Sequence, residues 1–118
     1  VILDDLSHSR VMSSKYLINL TLRSRHIAHS PQIGLSMFFL VQSLKSGIPR
    51  VLRSNVSCFL VFGTQDSTIV SDLHDELAGV ISKTDFTNLF HQFTAEPRSY
   101  LVVDLTTKDP SRTFRSRL

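Results

Sequence analysis

Four short runs rich in apolar residues limit what this chain can fold into: Val1–Leu3, Ile33–Val41, Val56–Phe62 and Ser99–Leu105. Each has strand length and β-branched or aromatic content, and the nearly continuous hydrophobicity suits strands covered on both faces. The stretches between them carry helical spacing instead. From Arg10 to about Arg23, Val11, Tyr16, Leu17, Leu20 and Thr21 can line one side of a helix. Pro49–Asn55 reads as a short helix with the proline in its first turn. From Asp66 to Ile81, Ile69, Val70, Leu73, Leu77 and Val80 recur at helical spacing behind an Asp66-Ser67 cap. Lys83 restarts the chain, and Phe86, Leu89, Phe90 and Phe93 form a second apolar stripe, read as core. The order β-α-β-α-β-α-α-β predicts an α/β fold with a mostly parallel sheet flanked by helices.

A chain of 118 residues can build one domain with a real core. At 42% hydrophobic and 19% charged residues it is not a disordered polymer. No apolar run is long enough to cross a bilayer, and no secretory signal pattern is present. Cys58 stands alone in an apolar stretch and reads as a buried, reduced thiol, which excludes a disulfide within the chain. The pair His26-x-x-His29 has too few partners for a structural zinc site, and no Gly-x-Ser-x-Gly elbow supports a serine hydrolase. Asn19-Leu20-Thr21 and Asn55-Val56-Ser57 match the glycosylation sequon by chance. The net charge of +3 resides in the last residues, where Lys108, Arg112, Arg115 and Arg117 oppose only Asp109. Such a tail suits phosphate backbones, although solvated surface arginines are the commoner source of such a run.

The polar residues that end the apolar runs carry the chemistry. Val1-Ile2-Leu3 runs into Asp4-Asp5, and the second run ends at Gln42-Ser43. Ligands of open α/β sheets bind beyond the carboxyl ends of the strands. Two adjacent carboxylates there can hold Mg²⁺ and orient a water, or can simply cap the next turn. Gln42 can likewise contact a ligand or satisfy loop backbone.

The ordered set is a strand ending Asp4-Asp5, then Arg25-His26, a strand ending Gln42-Ser43, Ile48-Pro49, Leu52-Arg53-x-Asn55 and a further apolar strand. This set resembles the virion DNA-packaging ATPases of poxviruses and other large DNA viruses, in the FtsK–HerA branch of P-loop ATPases. The likeness is strongest from Val1 to Gly63. It implies a partial P-loop (RecA/FtsK-like) fold beginning at the Walker B strand, with residues 1–107 in the ATPase domain and 108–118 as a basic tail. It implies Asp4 as the Mg²⁺ support and Asp5 as the acidic residue that polarises the attacking water. Gln42 would be the sensor of ATP's γ-phosphate, and Arg25 and Arg53 would make phosphate or subunit-interface contacts. Arg112, Arg115 and Arg117 would contact DNA. Implied partners are double-stranded DNA, further copies in a homo-oligomeric ring and a capsid or membrane vertex, in the virion or the host cytoplasm.

One departure is large: the sequence contains no Gly-x-x-x-x-Gly-Lys-Ser/Thr. Without the loop that cradles phosphates, these residues alone are expected to be inactive toward ATP. Family members carry that loop upstream of the Walker B strand, and the chain opens in a strand without Met, so it is expected to be the C-terminal half of a longer protein. Other readings are a cellular or mobile-element DNA pump and a non-catalytic nucleic-acid-binding domain. A receiver-like domain would need an acidic end to its third strand, where Phe62-Gly63 stands.

Overall fold

Helices and strands alternate along the chain, as the hydrophobic periodicity predicts, but among the described residues the strands form two sheets, not one. The computed structural model describes residues 1–6, 9–24, 34–77 and 79–117. The chain divides into two units, Val1–Asn55 and Val56–Leu118.

In the first unit β1 (Ile2–Asp4) and β2 (Phe38–Leu40) pair in parallel, with Ile2 opposite Phe38 and Asp4 opposite Leu40. The pairing extends backwards, where the Phe38 N–H donates to the Val1 carbonyl at 2.8 Å. Neither strand is buried as expected. Leu3 and Phe39 are half-covered, while Ile2, Phe38 and Leu40 share an exposed face. Of the longer run Ile33–Val41, only Phe38–Leu40 is strand, and Ile33 lies outside the described residues.

The helix anticipated over Arg10–Arg23 is broken in two. A 3-10 turn spans Arg10–Ser13, then Ser14 turns extended, and its hydroxyl accepts the Leu17 N–H at 3.2 Å to start α1 (Lys15–Leu22). That interruption shifts the helical phase. Met12 and Leu17 go inward, whereas Val11 and Tyr16 face solvent, contrary to the single stripe read from sequence. α2 (Leu44–Gly47) and α3 (Arg50–Arg53) follow β2, with Pro49 as the cap of α3. Leu44, Ile48 and Leu52 complete the core of this unit with Met12 and Leu17.

The second unit is built on β4 (Tyr100–Asp104), whose Leu101, Val102 and Val103 are fully buried. β3 (Cys58–Phe62) pairs with one side of it and β5 (Phe114–Arg115) with the other, both antiparallel. The expectation of a mostly parallel arrangement does not describe this sheet, and the connection explains why. A single crossover helix returns the chain to the start of its strand and gives parallel pairing. Here two helices, α4 (Ser67–Glu76) and α5 (Lys83–Phe93), intervene and pack on each other. The second helix carries the chain back to the end at which β3 finished, so β4 must run the other way.

The caps are those expected of such helices: Asp66 Oδ1 accepts from the Thr68 N–H at 2.8 Å, and the Ser82 hydroxyl accepts from the Asp85 N–H at 3.2 Å. α5 lays Phe86 and Phe90 into the core beside Leu73 and Leu77. β3 was expected to be buried but is an edge strand: Cys58, Leu60 and Phe62 are exposed and Phe59 and Val61 half-covered. Cys58 is therefore not a buried thiol. Part of the anticipated basic tail is folded, as α6 (Pro110–Thr113) capped by Asp109, and then β5.

Candidate functional site

Parallel pairing in register brings the carboxyl ends of β1 and β2 side by side. Asp4 is the last residue of β1 and stands opposite Leu40, the last of β2. Asp5 and Gln42 therefore follow neighbouring strands at one sheet end, and all three polar residues are exposed. Asp4 lies on the same face as Ile2, Phe38 and Leu40.

Asp5 turns the chain out of the strand with φ of 50°. Residues other than glycine rarely adopt this left-handed region, and Asp and Asn are the usual exceptions. Such outliers concentrate at functional sites, because surrounding structure must hold them in place.

The remaining site residues are more scattered. Arg53 donates through Nη1 to the Ile48 carbonyl at 2.7 Å and to the Lys45 carbonyl at 3.2 Å, tying α3 to the turn before it. Arg25, His26 and His29 lie outside the described residues. In the second unit, Arg115 Nη2 donates to Asp104 Oδ2 at 2.8 Å, linking β5 to β4, and its Nε is buried without a partner. Arg115 thus serves the sheet, while Arg112 and Arg117 are exposed.

Hydrogen bonds from the Thr106 hydroxyl and N–H hold the Asp104 carboxyl below its usual range, and Arg115 acts in the same direction. Bonds from the Ser111 hydroxyl and N–H do the same for Asp109. Cys58, opposite Asp104 across the β3–β4 pair, is pushed up by partial burial and by that carboxylate. A thiol raised in this way is a poor nucleophile.

Mg²⁺ commonly takes one or two protein carboxylates and completes its shell with phosphate oxygens and water. Asp4 and Asp5 fit that partial set. Among the described residues no three His, Cys, Asp or Glu side chains gather to form an all-protein cage. Nor is any helix among them long and apolar enough to cross a membrane.

Sequence reasoning passed over two cations, Arg10 and Lys45, which border one cleft between the 3-10 turn and α2. Their signal was available: each falls a few residues after the polar end of its strand. Compared with protein families, curated proteins and solved structures, the chain matches none.

Proposed function

We propose that this chain carries the water-activating end of an ATP-driven double-stranded DNA translocase, of the kind that packages a viral genome into its capsid. The observation that carries the reading is the register of β1 on β2, which sets Asp5 and Gln42 beyond the ends of adjacent parallel strands. Mg²⁺, held on the Asp4 side, would neutralise charge on the phosphoryl group being transferred. Asp5 orients the attacking water from the left-handed turn that ends the strand. The Gln42 amide offers both a donor and an acceptor, so it can contact that water and a phosphate oxygen together.

The phosphate-cradling loop would come from residues outside 1–118, since the motif does not occur within them. β1 and β2 would then belong to a larger, mostly parallel RecA-like sheet, and the exposed Ile2, Phe38 and Leu40 supply an apolar face for it. Copies arranged in a ring would place an arginine of one subunit at the site of the next, with Arg25 and Arg53 as candidates. The DNA contact would be largely independent of sequence and sensitive to salt. A capsid or membrane vertex would be the docking partner, in the virion or the host cytoplasm.

The test is Asp5→Asn in the complete protein, assayed for DNA-stimulated ATP turnover and for nucleotide binding. Loss of a positioned acid–base group costs roughly 10²–10⁴-fold in rate, so turnover should fall by that much while binding persists. Turnover unchanged by Asp5→Asn would remove the catalytic role and leave a non-catalytic nucleic-acid-binding domain as the better reading.

A further inference from the structure

Residues of the 3-10 turn and of α2 line an open cleft of about 460 Å³. Ser9, Arg10 and Ser13 border it from the 3-10 turn and its cap, and Lys45 and Ser46 from α2. It therefore lies between the 3-10 turn and α2, within the first unit. Its volume is that of a small-molecule site.

The lining has one sign of charge. Among the described residues Arg10 and Lys45 are the ionic ones at its border, and no carboxylate lines it. Two cations facing one concavity concentrate anions there. Arg10 is exposed and makes no hydrogen bond or ion pair among the described residues. The Ser9 oxygen already accepts the Val11 N–H at 3.2 Å, which leaves its own proton to be donated elsewhere. Ser13 and Ser46 add further hydroxyl donors.

We propose that this cleft binds a phosphate group, with Arg10 as a forked donor, Lys45 as a point charge and the serine hydroxyls completing the shell. The cleft stands on its own geometry. It rests on the translocase reading only for the source of the phosphate, which is either the phosphate tail of a nucleotide or the backbone of duplex DNA.

The experiment titrates the ¹⁵N-labelled 118-residue chain with sodium pyrophosphate and, separately, with a short DNA duplex. Amide shifts are expected at Ser9–Ser13 and Lys45–Gly47. In the double variant Arg10→Gln/Lys45→Gln the midpoint should weaken by about tenfold or more, as for the loss of charge-assisted hydrogen bonds. Response to pyrophosphate alone assigns the nucleotide tail. Response to duplex that fades steeply with salt assigns the DNA backbone. Silence of these amides toward both probes, or equal binding by the double variant, overturns the proposal. Both side chains are exposed, and unshifted amides elsewhere in the variant's spectrum verify its fold. Neither titration depends on turnover, so a failed Asp5→Asn assay and a failed cleft are separate results.

Discussion

Asp5 offers a way to separate backbone geometry from chemistry at one position. Its φ of 50° belongs to the left-handed region, which costs an ordinary L-residue about 1–2 kcal/mol. Its side chain is exposed, so shortening it removes no buried surface and the backbone term dominates. Glycine escapes the steric penalty but gives up roughly 0.5–1 kcal/mol through the greater freedom of its unfolded chain. Asp5→Ala should then be less stable than Asp5→Gly by about 0.5–1 kcal/mol. Asn tolerates the conformation as Asp does, so Asp5→Asn should stay within about 0.5 kcal/mol of the parent. Asp5→Val, branched at Cβ, should be the worst, at roughly 2 kcal/mol below it. For a unit this small, 1 kcal/mol moves the thermal midpoint by about 4–8 °C. Urea titration followed through the amides of Leu3, Phe39 and Leu52 reads the first unit directly. An alanine variant as stable as the glycine one, or a harmless valine, would refute the left-handed turn. If the order holds, Asp5→Asn keeps the backbone while removing the charge, and any turnover it loses belongs to the carboxylate.

Three further outcomes follow from the packing and charge. Phe90→Ala empties a fully covered position and should cost about 3–5 kcal/mol, most of the stability of a unit the size of residues 56–118. Denaturant midpoints read at Val102 and Val103 check this, and a loss under about 1 kcal/mol would mean the ring is not in a closed core. Because Asp104 is held below its unfolded-state pKa, its contribution is present above the ordinary carboxylate value of about 3.9 and fades as pH falls through the lower folded value. Between pH 5 and 3 the parent should therefore lose more stability than Asp104→Asn, and parallel losses would count against the Thr106 bonds. Arg53→Met keeps the aliphatic stem and removes the bonds to Ile48 and Lys45. It should destabilise the first unit by about 1 kcal/mol, seen as faster amide exchange in α3, and unchanged exchange would leave that clamp without weight.

Much of this architecture was legible in the residues. Asp66 announces its helix as an N-cap, and Phe86 with Phe90 marks the buried side of α5 at the spacing of one turn. That Asp5 and Gln42 follow neighbouring strands was legible from reading two strands with polar ends as members of one parallel sheet. The direction of β4 was also recoverable, since two helices in the β3–β4 connection reverse the outcome of one. Burial was harder to read. The runs ending at Leu3 and Phe62 look alike in sequence, and continuous hydrophobicity says that a strand can be covered without saying that anything covers it. Cys58 was misplaced for that reason. The break at Ser14 was hidden because a serine inside a helical pattern is tolerated until its hydroxyl caps a new start. Arg115 looked like part of a solvated tail because the sequence does not reveal that its carboxylate partner lies on the preceding strand.

The outer edge of β3 has a consequence for how copies of the chain behave together. β3 pairs with β4 alone among the described residues, so its other side presents a ladder of backbone donors and acceptors. Cys58–Phe62 has no charge and no proline to discourage an incoming strand, and Leu60 and Phe62 are 42% and 60% exposed. Concentrated protein should therefore accumulate intermolecular β-structure nucleated here. Light scattering during storage reads it, and Leu60→Lys should delay its onset without unfolding the monomer. Equal onset in both proteins would clear this edge and direct attention to the uncovered face of β1 and β2.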